Sequence, residues 1–123
     1  MPMTEPATPM PTAPFDLTGK VAFVPGGYGG IGAAIAWGLA RHGAEVIVAG
    51  RDAGKGEALA AQMREQGLAA AGIAMDAHSV ASLRAAVDAA VSRRGHLDIL
   101  VNCVGIQREQ PLLEVTEDAY DEV

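Results

Sequence analysis

The sequence predicts an α/β fold, a doubly wound parallel sheet of about four strands with helices on both faces. Three observations carry that expectation. Short apolar runs alternate with longer segments of helical periodicity, in the order β-α-β-α-β-α-β. The runs are apolar at successive positions rather than at every second one, as strands buried on both sides require. A glycine cluster separates the first run from the first helical segment, and the other joints are short, so right-handed crossovers are expected.

Taken in order, residues 1–14 contain five prolines and no packing pattern, which reads as a disordered tail ahead of a domain over 15–123. Lys20 to Val24 is the first strand, ended by Pro25 and the glycines. Ile31, Ala34, Ile35, Gly38 and Leu39 then recur at helical spacing, and Gly43 closes that helix. Glu45 to Ala49 is the second strand. A polar helix from about Ala53 to Gln66 follows, with Leu59 and Met63 inward and Gly67 as its stop.

Leu68 to Met75 admits two readings. Alanine favours helix, whereas Gly67, Gly72 and the order of elements favour a third strand, which is the assignment adopted. Val80, Leu83, Val87, Ala90 and Val91 mark a third helix, capped by Ser79 and stopped at Gly95. Leu97 to Val101 is the fourth strand. A last helix is expected to start at Thr116, where Glu117 and Asp118 suit the positive end of the helix dipole.

Composition narrows the function classes. The 123 residues contain one cysteine, which excludes a disulfide scaffold and a cysteine-based zinc site and suits a reducing cytoplasm. No apolar stretch reaches the roughly 18–20 residues of a membrane span. Met1 to Pro14 has neither the basic start nor the apolar core of a secretory signal. The net charge is −6, yet residues 1–108 hold nine acids and nine bases. The excess is Glu109, Glu114, Glu117, Asp118, Asp121 and Glu122, read as a solvated face. With a pI near 4.9 and no basic cluster beyond Arg93-Arg94, neither a nucleic-acid nor a membrane surface is expected. His42, His78 and His96 show no metal-ligand spacing and receive no role.

The informative segment is Val24-Pro25-Gly26-Gly27-Tyr28-Gly29-Gly30-Ile31-Gly32. A helix starting there offers unpaired N–H groups to an anion, and glycines let the backbone approach a pyrophosphate. A glycine motif alone is weak, but this one follows a strand, opens a helix and lies in a βαβ unit. No Lys-Ser/Thr pair follows it, so a nucleoside-triphosphate loop of the Walker type is excluded.

These residues also resemble a family. Gly26-x-x-x-Gly30-Ile31-Gly32 resembles the T-G-x-x-x-G-I-G loop of the short-chain dehydrogenase/reductases. Asp76 after the third strand, and Leu97 to Gly105, resemble that family's adenine-side acid and its L-D-x-L-V-N-N-A-G stretch. The resemblance spans about residues 15–123 and implies a Rossmann-type fold, incomplete here. It implies that Gly26, Gly30 and Gly32 shape the pyrophosphate and ribose site, with Tyr28, Gly29 and Ile31 in the same cofactor loop. Asp76 would accept from the adenine amino group beside the Ala77 backbone, and Asn102, Val104 and Gly105 would line the adenosine ribose. Three departures stand out: Pro25 for Thr, Tyr28 for Ser, and Cys103-Val104 for Asn-Ala. Cys103 reads as a small buried filler.

The resemblance also bears on the cofactor. NAD-selective members place Asp at the end of the second strand, where this chain has Gly50 followed by Arg51. A guanidinium there suits a 2′-phosphate. Gly29, where NADP users often carry a base, and nearby Asp52 point the other way. NADP is the expected cofactor and NAD the alternative.

The implied activity is hydride transfer between a nicotinamide and a small-molecule alcohol or ketone. The family's acid/base Tyr works beside a Lys that lowers its pKa. No Tyr-x-x-x-Lys occurs here: Gly32 lies four residues after Tyr28, and Tyr120 has no residue at that distance. No catalytic residue is therefore assigned, and the chain is expected to be the cofactor half of a longer enzyme, with apolar faces exposed and poor stability alone. Gly105-Ile106-Gln107-Arg108 with Pro111 resembles the stretch in gluconate 5-dehydrogenases and related sugar-acid dehydrogenases, which makes Arg108 a candidate for a substrate carboxylate. The alternatives are a 3-oxoacyl-carrier-protein reductase and a non-catalytic dinucleotide-binding protein. Homotetramer formation is a further implication of the resemblance.

Overall fold

A computed structural model describes residues 14–105 and 111–122. Its elements are β1 (Val21–Pro25), α1 (Gly30–Arg41), β2 (Glu45–Gly50), α2 (Ala53–Glu65), β3 (Ala70–Ala74), α3 (Val80–Arg94), β4 (Ile99–Leu100), a single 3₁₀ turn (Leu112–Glu114) and α4 (Glu117–Glu122). The segment with two readings, Leu68 to Met75, is a strand. The tail expected over 1–14 lies, apart from Pro14, outside the described residues.

The four strands are parallel in the order β3-β2-β1-β4. Successive side chains on a strand point to opposite faces, and both faces are apolar, so each receives a helical layer. Ala22, Val24, Val46 and Val48 pack with Ala36 and Ala40 of α1 and with Ala60 and Met63 of α2. Val21, Phe23, Ile47 and Ala49 face the other way, onto Ala86 and Ala90 of α3. The split follows from handedness. The chain moves outward from β1 through β2 to β3, then reverses to reach β4, and a right-handed crossover in the reverse direction lands on the opposite face.

Helix ends follow local chemistry. Asp52 accepts the Lys55 N–H at 3.0 Å to cap α2, and Ser79 accepts that of Ser82 at 3.1 Å to cap α3. Gly95 ends α3 with φ 85°, a left-handed conformation that suits glycine. Thr116 Oγ1 accepts the Ala119 N–H at 3.1 Å at the start of α4.

The helical faces match the predicted ones only in part: Met63 and Ala90 are buried as expected. α1 buries Gly32, Ala36 and Ala40, while Ile31 is 79% exposed. α3 buries Ala86 and Ala90 and leaves Val80 and Val87 in solvent. In each helix the fully buried positions are small residues, with Leu39 of α1 and Leu83 of α3 packed partly buried beside them. β4 is also shorter than Leu97 to Val101. Asp98 and Val101 nevertheless donate to Val21 and Phe23 carbonyls at 2.9 and 3.1 Å, so the whole segment runs along β1.

The sheet's amino-terminal end is closed by charge. Glu45, 7% exposed, accepts from Arg93 at 3.0 Å and from Arg94 at 2.7 Å. Burial pushes its carboxyl pKa up, but the hydrogen bonds and charges of the two arginines outweigh that and hold it below the ordinary value. The opposite end, at the strands' carboxyl termini, is open.

Candidate functional site

β1 lies between β2 and β4, so the strand order reverses beside it and the loops leaving β1 and β4 diverge. In doubly wound sheets a crevice opens at that point. Here it is a cleft of about 1000 Å³, bordered by the loop after β1, the ends of β2 and β3, and the segment after β4.

The glycine loop is packed main chain on main chain. Gly26, at φ 75°, donates its N–H to the Ala49 carbonyl at 2.7 Å, and Gly27 donates to Val24 at 3.1 Å. A Cβ on Gly26 would lie 2.6 Å from the Cys103 carbonyl oxygen. One on Gly32 would overlap the Gly26 carbonyl and come within 3.2 Å of Cys103 Cβ. The loop therefore requires these glycines. It does not require an N–H at residue 25: Pro25 uses only its carbonyl, which accepts from Cys103 at 2.9 Å. Cys103 is half-buried against the core and fills this junction.

At the N-cap of α1, Gly29 supplies no side-chain acceptor to the first-turn amides. These N–H groups carry the positive end of the helix dipole. Arg51, exposed at the far side of the cleft, makes no ion pair among the described residues. Asp52, its neighbour, has its carboxylate on the amino end of α2.

The predicted cofactor residues mostly come together. Gly26, Tyr28, Gly29, Gly30, Ile31, Gly32, Arg51, Ala77, Asn102, Val104 and Gly105 all line the cleft. Asp76 does not. Its Oδ1 accepts the His78 N–H at 2.9 Å and its own N–H donates to Ser82 Oγ at 2.8 Å, so it also orders the entry to α3. Met75 and Ala77 on either side face the cleft instead. Asn102 Oδ1 accepts the Val104 N–H at 3.1 Å, which fixes the turn after β4.

Seven lining residues lie outside the predicted cofactor set: Ile35, Gly50, Met75, His78, Val101, Cys103 and Asp121, of which Gly50 was noted only as the place of the family's acid. Gly50 matters most. The Tyr28 ring lies over it, and the Tyr28 hydroxyl accepts the Asp52 N–H at 3.0 Å. Nothing in the local sequence links residues 28 and 50; the contact exists because β1 and β2 are neighbours. Arg108 lies outside the described residues. A second cavity of about 600 Å³, lined by Phe23, Leu83, Val87, Leu97 and Leu100 among others, is mainly apolar and lies on the α3 side. Among the described residues, no group of three His, Cys, Asp or Glu side chains is placed to hold a metal ion. None of their helices is long and apolar enough to cross a membrane.

A doubly wound parallel sheet with a glycine loop at its switch point defines the Rossmann-type class. The family model of the short chain dehydrogenases matches residues 20–123, and the chain belongs to that family. It is 43% identical over 107 residues to a D-threitol dehydrogenase of Mycolicibacterium smegmatis, covering 87% of this chain and 41% of that one. A gluconate 5-dehydrogenase of Gluconobacter oxydans is 39% identical over 112 residues, covering 89% and 43%. Among solved structures, a gluconate 5-dehydrogenase from Burkholderia cenocepacia in complex with NADP and tartrate superposes with a TM-score of 0.80 at 39% identity, covering 87% of this chain and 42% of that one. The chain thus spans about two-fifths of the length of the relatives it matches.

Proposed function

We propose that this chain is the cofactor-binding part of an NADP-preferring oxidoreductase that acts on a small alcohol or ketone, a sugar acid being the favoured substrate class. The observation that carries the reading is the cleft itself. An α1 amino terminus without a side-chain cap and an Arg51 without an ion pair among the described residues border one cavity of about 1000 Å³. Its floor is a glycine loop with no room for a Cβ at residues 26 and 32.

The residues fit a pyridine dinucleotide. Gly26 and Gly32 keep the loop flat enough for a pyrophosphate to reach main-chain amides, the α1 dipole favours its charge, and Arg51 supplies a planar cation for a 2′-phosphate. Asn102, Val104 and Gly105 form the opposite wall. When bound, the nicotinamide supplies a hydride donor or acceptor at its C4; the chain's own residues position and charge-balance the rest of the molecule. NADP in the Burkholderia cenocepacia relative supports the cofactor assignment. The sugar-acid class rests on likeness to gluconate 5-dehydrogenases, a homotetramer rests on family resemblance, and a cytoplasmic location on the single cysteine.

A second reading rests on the dinucleotide-sized cleft alone. It is a dinucleotide-binding protein without turnover. Titration of the full-length protein with NADP and NAD, followed by assays on aldonic acids and 3-oxoacyl thioesters, tests both. NADP is expected to bind about tenfold more tightly than NAD, with Arg51→Ala removing most of that margin. Turnover with 3-oxoacyl thioesters alone would move the protein to the acyl reductases, and binding without turnover would favour the second reading. No binding of either dinucleotide overturns both.

A further inference from the structure

We propose that the Glu57–Arg64 ion pair closes the outer edge of β3 against strand addition by a second copy of this chain. The inference lies outside the cleft and does not depend on the dinucleotide reading. β3 is the outermost strand on its side of the order β3-β2-β1-β4, and in the common doubly wound order the third strand stays outermost. The register fixes which of its groups face outward. The Ala69 carbonyl accepts the Val46 N–H at 3.0 Å, and the Met75 N–H donates to the Gly50 carbonyl at 2.8 Å. Backbone groups alternate between the two edges of a strand. The N–H and C=O groups of Ala70, Gly72 and Ala74 therefore point away from β2.

Such an edge is a template for pairing with another chain, and proteins blunt it with charges, prolines or bulges. β3 itself, Ala70-Ala71-Gly72-Ile73-Ala74, contains neither a charge nor a proline. A glycine-containing strand of small residues also holds its register weakly. The guard comes from α2 instead. Glu57 and Arg64 are seven residues apart, two turns, and so lie on one side of the helix. Gly72 lets that helix come close, since a Cβ there would sit 2.6 Å from the Glu57 nitrogen. Arg64 Nη1 donates to the Ala70 carbonyl at 2.9 Å, and Arg64 Nη2 donates to Glu57 Oε1. Glu57 Oε2 accepts the Gly72 N–H at 3.4 Å.

The Ala70 carbonyl and the Gly72 N–H flank Ala71 on the outer edge. They are the two groups that one residue of a further parallel strand would engage. The guanidinium supplies the donor for the first and the carboxylate the acceptor for the second. The Arg64 hydrogen bond above all, and the Gly72 N–H after it, hold the Glu57 carboxyl below its ordinary value against a smaller effect of burial, so the acceptor stays charged at neutral pH. Both side chains are about half exposed, and ion pairs so exposed add little to stability. The consequence of this pair therefore lies in the edge it covers.

Glu57→Ala/Arg64→Ala in the full-length protein tests the proposal, with analytical ultracentrifugation, infrared spectroscopy and thermal unfolding as readouts. The melting midpoint is expected to stay close to that of the parent. The apparent mass is expected to at least double with rising concentration, with a new intermolecular β-sheet band. Adding Ala74→Lys, at the exposed end of the same strand, is expected to return the mass to the parent's. If the double variant fails to fold, Arg64→Met, which keeps the stem and removes the donor, takes its place. A folded variant that keeps the parent's mass at every concentration overturns the proposal. So does association that Ala74→Lys leaves unchanged, because it would not pass through β3.

Discussion

The carboxylate of Asp98, just before β4, accepts the backbone N–H of Val21, the first residue of β1, at 2.8 Å. The same oxygen lies 2.7 Å from His96 Nδ1. One side chain thus ties together the starts of two neighbouring strands that are 77 residues apart in sequence.

That contact has a pH signature. The Val21 N–H above all, and His96 after it, hold the Asp98 carboxyl below its ordinary value against a smaller effect of burial. A depressed carboxylate pKa stabilises the fold above the unfolded value, near 4, and the contribution disappears as pH falls through the lower folded value. Glu45 acts in the same direction. The melting midpoint is expected to be flat from about pH 7 to 5 and to decline below about pH 4. Asp98→Asn, which keeps an acceptor for Val21, is expected to retain more stability than Asp98→Ala and to flatten part of the acid slope. An acid slope unchanged in Asp98→Asn would remove this account.

Glu45→Gln leaves two arginines facing a neutral amide. Removing one partner of a fully buried pair costs about 3–5 kcal/mol, but Arg93 and Arg94 are half in water, which reduces the expected loss to about 1–2 kcal/mol. Urea unfolding of the variant measures it. A loss shared equally by Arg93→Ala and Arg94→Ala would show that both arms contribute.

Two glycines of α1 predict opposite outcomes. Gly32→Ala drives a methyl into the Gly26 carbonyl, and a destabilisation of about 1–3 kcal/mol with loss of dinucleotide affinity is expected. Gly38→Ala meets no atom within 4 Å, and in mid-helix it is expected to add about 0.5–1 kcal/mol. Melting curves of the two variants settle the sign at each position.

Gly72 marks the closest crossing of α2 over the sheet. A Cβ there would lie 2.6 Å from the Glu57 nitrogen and the Gly56 carbonyl carbon. Gly72→Ala is expected to cost about 1–3 kcal/mol in chemical denaturation, through displacement of α2 rather than through β3 itself.

Much of this was legible in the sequence. Apolar runs located three strands and the glycines and element order the remaining one, Ser79 and Gly95 bounded α3, and the glycine loop identified the wall of the cleft. The buried helical faces were legible only in part: Met63 and Ala90 are buried as predicted, and Leu39, Leu59 and Leu83 pack at the core's edge, but periodicity also rewards large apolar residues that the fold leaves out. Ile31, Val80 and Val87 fit the pattern but are exposed, whereas Gly32, Ala36 and Ala86, outside it, are buried. Asp76 was singled out by its place after the third strand but does not line the cleft, and its hydrogen bonds to Ser82 and His78 depend on how β3 leads into α3. The Tyr28–Gly50 contact is purely tertiary. Two residues with unremarkable neighbours become a unit only when β1 and β2 pair.

The sheet's pairing is uneven, and this sets a folding order. β1 matches β2 over five residues and β2 matches β3 over five, whereas β1 meets β4 at two, through a far longer closed loop. Local contacts favour faster folding than long-range ones, so within residues 21–100 the β1–β3 half is expected to consolidate before β4 docks. Amide exchange should accordingly be slowest in β2 and fastest, within the sheet, at Ile99 and Leu100. Cys103, which packs on Gly26 and Gly32 and donates to Pro25 from the β4 side, ties completion of the glycine loop to the docking of β4 on β1.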